Sequence, residues 1–534
     1  MYGPGPHRIV PLGWSGSRRA TKLPRILPPR PTAVPEPPLL PASSPRLPTR
    51  WKIFSGAVAA LLAATLWLRS TAPAVPAAAA APARPRSVAV RPFLDLGPDT
   101  AAGALGAAFA GELVDALSRV PGLRVADPVS LRMAARRAGD PRALGRRLGV
   151  GSVLEGDIRI TGDRLRITTH LLSVERGFDL WSETFDQPAA ELLVARDSIA
   201  RSVASTLRLP TQRLLTPGTG DDAYRAYLRG RAAMIRTGRD PERAIAAFRE
   251  AVRLDSSYAP AWAGLAEAYT AELLADTLPP AGPAEAARAA AERALALDGR
   301  AARALLARGI VRLTYDRAWS QAGDDLRRAA ALDPDDPEPA HWRSHLFLAQ
   351  RLVDSSLAAS AEAISRSPLD PARRLHLAWH YAMAGADTTA ANTFAGVTLD
   401  SALLATDPHL PLLLEIAGDS TGALAELTRA LAAAPGRLDL VAELARLHAL
   451  AERPDTARAL LALLQAPADS GWVSPYALAL VHAALGERRA AFAALDRALE
   501  ERDPAVVALM LDPRLAALRR DRRFAGLVRR LAPD

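Results

Sequence analysis

The sequence of 534 residues contains no cysteine. That excludes disulfides, thiolate metal sites and a cysteine nucleophile, and it selects no compartment. Lysine is almost missing too: Lys22 and Lys52 are the only two, so nearly all positive charge is arginine. Aromatic residues make up only 5%, and alanine supplies much of the 49% hydrophobic share. Alanine is the best helix former and lets helices approach closely, so this composition favours packed helices over sheets. Nucleotide-binding signatures are absent as well. Gly149, Gly151 and Gly156 do not make GxGxxG, and no GxxxxGK[ST] occurs, so nothing supports a phosphate cradle. Basic residues and aromatics are scattered, so no nucleic acid is expected as a partner. Neither a cofactor nor a small-molecule substrate is expected.

What is present divides the chain, whose length suits about three domains. Residues 1–50 are rich in Pro, Arg and Ser and hold Arg8, Arg18, Arg19, Lys22, Arg25, Arg30, Arg46 and Arg50 against Glu36 alone. Most of the net charge of +10 therefore sits in this tail, which reads as disordered because dense proline blocks helix and sheet. Residues 51–69 read as a short transmembrane helix. Nothing from 53 to 68 is charged, Trp51 and Trp67 stand at opposite ends, and Lys52 and Arg69 can reach outward. A signal peptide cleaved within 77–83 would need a 50-residue leader, too long for that class. Arg46, Arg50 and Lys52 on one side balance Arg69, Arg84 and Arg86 on the other, and the longer basic tail tips the expected orientation to N-terminus inside. Residues 70–86 read as a semi-rigid Ala/Pro linker.

Residues 87–208 alternate strand and helix patterns. The stretch 87–93, SVAVRPF, reads as a strand. Phe109, Leu113, Leu117 and Val120 have helical spacing, and Pro121-Gly122 ends that helix. Ser130 could cap a helix through 138, and Asp140-Pro141 starts another. Residues 150–160 and 164–172 flank Thr161-Gly162-Asp163 as a hairpin, 181–185 is a further strand, and 189–207 a closing amphipathic helix. The expected domain is a small two-layer α/β unit.

The strings SVAVRPF, ELVDALSRVPGLRVADPVS and ALGRRLGVGSVLEGDIRITGDRLRITTHLLSVERGFDLWSETF together resemble the TolB-like N-terminal domain found beside tetratricopeptide repeats in bacterial signalling proteins. The resemblance implies a periplasmic or membrane-associated accessory domain without catalysis of its own. Similar domain pairs follow a single membrane helix in CadC-type transcriptional activators, in some serine/threonine kinases and in some adenylate cyclases. Residues 1–50 are too short and too Pro-rich for a winged helix, kinase or cyclase domain, so any such output is expected to be absent or on another chain.

Residues 221–534 repeat with a period near 34. Trp262, Leu265, Ala266 and Tyr269 resemble the opening half of a tetratricopeptide unit, with small residues where helices cross and large ones between. Gly385, Ala390 and Phe394, then Gly418, Ala423 and Leu427, then Gly486, Ala491 and Leu495, continue the pattern, which degenerates most at 340–370. Six to eight helix pairs are expected, closed by a polar, basic cap at 512–531. Such a stack exposes a concave face for a protein or peptide partner, with no groove residue assignable from the sequence. A compact pocket of converging acids and bases would contradict that picture.

Three patterns invite catalysis or metal binding. Gly418-Asp419-Ser420-Thr421-Gly422 matches GxSxG but falls in a helix–turn–helix loop, not the strand–turn–helix that a nucleophile elbow requires. His341 and His345 are four apart, as are His376 and His380; neither pair has the HExxH form or an evident third ligand, so both read as structural. Asp333, Asp335 and Asp336 resemble the start of a calcium loop without its Gly and final Glu, and read as a repeat junction. No catalytic, cofactor or metal residue is therefore assigned. The expected whole is mostly α: one transmembrane helix, a small α/β domain and an α-solenoid. The expected role is a non-enzymatic membrane-anchored scaffold at a bacterial inner membrane, its C-terminal domains periplasmic. The alternative is a sensor or accessory component of a signalling or transcription-regulating system.

Overall fold

The computed structural model describes residues 84–96, 103–210, 220–235, 240–275, 277–397, 407–434, 436–465 and 471–531. The basic tail, the membrane helix at 51–69 and the linker up to residue 83 lie outside them. Among the described residues, no helix is long and apolar enough to cross a membrane.

The α/β unit is built from β1 (Arg84–Val90), β2 (Leu94–Asp95), α1 (Gly103–Ser118), β3 (Arg124–Val125), α2 (Pro128–Ala135), α3 (Pro141–Leu148), β4 (Val150–Thr161), β5 (Arg164–Ser173), β6 (Asp179–Pro188) and α4 (Leu192–Thr206). The sheet order is β3-β1-β4-β5-β6, parallel from β3 to β4 and antiparallel from β4 to β6; β2 adds to β4. Strand β1 starts three residues earlier than the alternation predicts, taking the end of the linker into the sheet. The hairpin forms as expected: Thr161 pairs with Arg164 and Gly162 turns with φ of +60°. Along β5 the residues Leu165, Ile167, Thr169 and Leu171 are buried on one face, the period-2 pattern of a strand covered on one side.

Two expectations need correction. The unit is not simply two-layered. Val88, Val90 and Leu154 join the core beneath α1 and α4, while Ala89, Val150 and Val153 pack with Leu131 and Val174 on the opposite face. The middles of two strands, Val88 to Val90 in β1 and Val153-Leu154 in β4, are buried on both sides, which is why consecutive apolar residues stand there. Helix α2 is capped by Asp127, whose carboxylate accepts from Ser130 N at 2.7 Å, not by Ser130.

The rest is a tetratricopeptide-like helical solenoid. Its pairs are α5 (Asp221–Ile235) with α6 (Pro241–Leu254), α7 (Ala259–Leu274) with α8 (Ala281–Leu297), α9 (Ala302–Val311) with α10 (Trp319–Leu332), and α11 (Glu338–Ala349) with α12 (Val353–Arg366). Next come α13 (Pro371–Met383) with α14 (Asp387–Ala395), α15 (Leu410–Ile416) with α16 (Ser420–Ala433), α17 (Leu438–Leu450) with α18 (Pro454–Leu464), and α19 (Pro475–Ala484) with α20 (Arg488–Glu500). That is eight pairs among the described residues. From Val353 on, the second helices begin at 353, 387, 420, 454 and 488, one unit every 33 or 34 residues. Small residues set the spacing. A Cβ on Gly230 or Gly264 would meet the Phe248 ring at 2.5 and 2.6 Å, so two glycines on neighbouring first helices make the slot that Phe248 fills.

The stack does not end freely. The 3₁₀ turns Pro504–Ala508 and Pro513–Leu515 and the final helix α21 (Arg522–Leu531) follow the eighth pair. Their Val506, Leu509, Leu515 and Phe524 share one core with Tyr476 and Phe492 and with Leu313, Trp319 and Leu346 of the third and fourth pairs. Arg317 donates to the Leu499 carbonyl at 3.0 Å across the same junction. The segment read as a terminal cap therefore closes the superhelix onto its own middle. The α/β unit is joined just as firmly: a single core runs from Val88 through Tyr224 and Phe248 to Val311. Asp115 pairs with Arg303 at 2.7 Å, and Val125 N donates to Asp335 at 3.0 Å.

Candidate functional site

Because the superhelix folds back on its middle, its concave face is partly enclosed. It walls a cavity of about 850 Å³, lined mainly by the first helix of each pair and bordered by Val114, Asp115 and residues 125–129 of the α/β unit. The wall is strongly charged. Arg231 and Arg303 both reach Glu267, at 2.9 and 3.1 Å, and Arg373 pairs with Glu338 and Asp370. The predicted repeat junction at Asp333, Asp335 and Asp336 is indeed the turn between α10 and α11, and all three residues line the cavity. Among the described residues these three make no ion pair. Burial pushes the Asp336 carboxyl up to about 8, helped by the negative charge of Glu338. Burial also raises Asp333.

The histidine pairs are the larger departure. Spaced 35 residues apart, about one repeat, they stand on adjacent inner helices, α11 and α13, and face each other. Ring centroids are 4.6 Å apart for His341 and His376, 4.7 Å for His341 and His345, and 5.1 Å for His345 and His380. The turn before α15 adds His409, 4.9 Å from His376, and Asp407, whose Oδ2 lies 3.2 Å from His376 Nε2. His409 stacks on Trp379 with centroids 4.1 Å apart. A third ligand to the first pair, which the sequence did not reveal, is thus at hand. One ligand atom from each of His341, His345 and His376 lies within 4.8 Å of the others, and the same holds for His376, Asp407 and His409.

Burial, reinforced by the neighbouring imidazoles, holds His345 and His380 well below the ordinary histidine range; His341 is held there by burial and then by Arg373. Burial presses His409 down to about 3. At neutral pH these four are uncharged and offer lone pairs. His380 is satisfied internally, by Ser356 and, at 3.4 Å, by Ser344 Oγ. His345 Nε2 and His376 Nδ1 are buried without a hydrogen-bond partner. Asp407, Trp379 and His409 carry no sequence signal of their own. The one available clue was the 35-residue offset between two His-x3-His pairs in a chain of period 34. Ser420 sits apart from all this, exposed at the start of α16, where Asp419 caps the helix through Gly422 N at 2.8 Å. That is the helix–turn–helix setting its spacing predicts.

No family model matches the chain. Over 160 residues, 29% of this chain, it is 30% identical to the putative adenylate cyclase 3 of Rhizobium meliloti (strain 1021), and the match spans 27% of that protein. This chain thus aligns with about a quarter of the length of that curated relative. Among solved structures, a thermophilic tetratricopeptide protein of Thermus thermophilus is 24% identical, covering 36% of this chain and 97% of its own, with a TM-score of 0.27. PilF of Pseudomonas aeruginosa is 19% identical, covering 41% of this chain and 95% of its own, with a TM-score of 0.29. These likenesses are slight, and the repeat assignment rests on the helix period itself.

Proposed function

We propose that this chain is a non-enzymatic scaffold, tethered to a bacterial inner membrane by residues 51–69 with its N-terminus inside. In this reading the TolB-like α/β unit and the tetratricopeptide-type solenoid lie on the periplasmic side, and the lumen takes an extended segment of a protein partner. One observation carries the binding role: the inner face encloses a space that core side chains leave unfilled and that charged groups line. The carboxyls of Asp333, Asp335 and Asp336, which lack a cation of their own, select the partner's chemistry. A lysine or arginine placed beside them relieves their mutual repulsion and draws the proton from Asp336.

Fluorescence anisotropy with short labelled peptides tests this. Peptides bearing lysine or arginine are expected to bind with a Kd of about 1 μM, equivalent to about −8 kcal/mol, and acidic ones far more weakly. Asp336 holds its proton below a pKa near 8, so deprotonation favours the cation and affinity should rise from about pH 6 to about pH 8. The double substitution Asp333→Asn, Asp335→Asn should weaken binding about tenfold, roughly 1.4 kcal/mol. Binding that ignores peptide charge and pH, or no binding at all, defeats the reading.

The sequence identity to a putative adenylate cyclase favours a second reading. There the chain is the sensor or accessory component of a signalling or transcription-regulating system, in a CadC-like arrangement. Co-purification of a cyclase, kinase or DNA-binding protein that depends on residues 221–534 would separate it from a general scaffold.

A further inference from the structure

We infer that His341, His345 and His376 form a binding site for one divalent transition-metal ion of the zinc class inside the repeat lumen. Three features point there. The i, i+4 spacing sets His341 and His345 on one face of α11, and His376 meets them from α13, with one ligand atom from each within 4.8 Å of the others. His345 is only 7% exposed, and its Nε2 is buried with no partner, as is His376 Nδ1. A buried nitrogen left without a partner destabilises the fold unless something occupies it.

The third feature is the carboxylate behind the cluster. Asp407 Oδ2 lies 3.2 Å from His376 Nε2, and Asp407 is itself fixed by His409 N donating to its other oxygen at 2.9 Å. An Nε2–H donated to Asp407 sets the His376 tautomer and leaves the lone pair of its buried, unpartnered Nδ1 available to an ion. Ligating histidines commonly have this carboxylate support, which fixes the ring and raises its basicity. It also decides between the two possible ligand sets, because Asp407 is then engaged through His376 and not at the ion. Neutral imidazoles suit zinc, cobalt, nickel or copper, while oxygen-seeking calcium and magnesium find no oxygen shell among these three residues. Zn–N bonds of about 2.0–2.1 Å would bring the three nitrogens to roughly 3.4 Å apart, so ring rotations of about 1 Å complete the site. Three protein nitrogens leave a fourth position for water or a side chain entering from the cavity.

The test uses the whole chain, stripped with a chelator and titrated with Co²⁺ and then Zn²⁺. One Co²⁺ per chain should bind with the visible ligand-field bands of a four-coordinate site, and Zn²⁺ should displace it and raise the melting temperature. His345→Ala and His376→Ala should abolish the bands, and Asp407→Asn should weaken binding about 10–100-fold. His170→Ala, on β5 of the α/β unit, should leave affinity unchanged. The wild-type titration needs no variant to fold: absence of bands and of any melting shift in that protein overturns the site. Loss of binding in His409→Ala with retention in His341→Ala overturns the ligand assignment. Neither result bears on peptide binding, which is read separately by anisotropy in chelator.

Discussion

Replacing Glu112 by leucine is expected to destabilise the protein by about 3–5 kcal/mol, because it breaks a buried ionic network while leaving its cations in place. Glu112 on α1 is 3% exposed. Its Oε1 accepts from the Tyr227 hydroxyl at 2.7 Å, and its Oε2 lies 3.4 Å from Arg196 Nη1. Arg231 Nε approaches at 3.8 Å. The carboxylate therefore ties α1 of the sheet unit to α4 and to α5, the first solenoid helix. Without it, Arg196 keeps Asp197 and Arg231 keeps Glu267, but the buried Tyr227 hydroxyl loses its acceptor and two guanidinium groups share less negative charge. Glu112→Gln, which preserves the shape and one acceptor, should cost less. Urea unfolding of the full chain measures both. A loss below about 1 kcal/mol in the leucine variant would mean that the Glu112 network adds little to the junction of the sheet unit with the solenoid.

That junction also shows where the sequence stops informing. The hairpin at Gly162, the helix carrying Phe109, Leu113 and Leu117, and the period of the second helices are local patterns, and local patterns survive in a single sequence. Repeats at 340–370 looked degenerate for a definite reason. Their helices bury His341, Ser344, His345, Ser356 and Ser360 at positions where alanine and leucine would normally stack. Some of these polar groups satisfy one another, as when Ser356 Oγ donates to the Ser344 carbonyl at 2.9 Å. The irregular repeat is therefore the one that carries the histidine cluster, and consensus matching discards what makes it irregular. Closure was invisible for another reason. That Trp319 and Phe492 share one core depends on a small rotation per repeat, summed over several units, and no short window of sequence encodes that sum.

Closure is also the feature most open to attack at one residue. Asp512→Ala is expected to cost about 3–5 kcal/mol and to open the lumen. Asp512 is fully buried; it accepts from the Tyr476 hydroxyl at 2.8 Å and pairs with Arg514 at 2.7 Å. Its backbone carbonyl accepts from Arg519 at 2.7 Å. Burial by itself would raise this carboxyl, yet the charge and hydrogen bonds of Arg514, with the Tyr476 hydroxyl, prevail and hold it below the ordinary range. Its folded pKa is depressed, so its stabilisation is fully present above the unfolded value, about 3.8, and is lost as pH falls from there through the folded pKa. Alanine removes that acid-sensitive contribution, leaves the buried Tyr476 hydroxyl without its acceptor and leaves Arg514 only Glu443, at 3.9 Å. Hydrogen exchange should then show residues 504–531 losing protection while the α/β sheet keeps its own, since the two belong to different cores. The same variant should bind cationic peptides faster and hold them less long, because the lumen would have a side entrance. Unchanged protection at 504–531 in Asp512→Ala would show that Leu515, Leu518 and Phe524 close the ring without help from the ion pair.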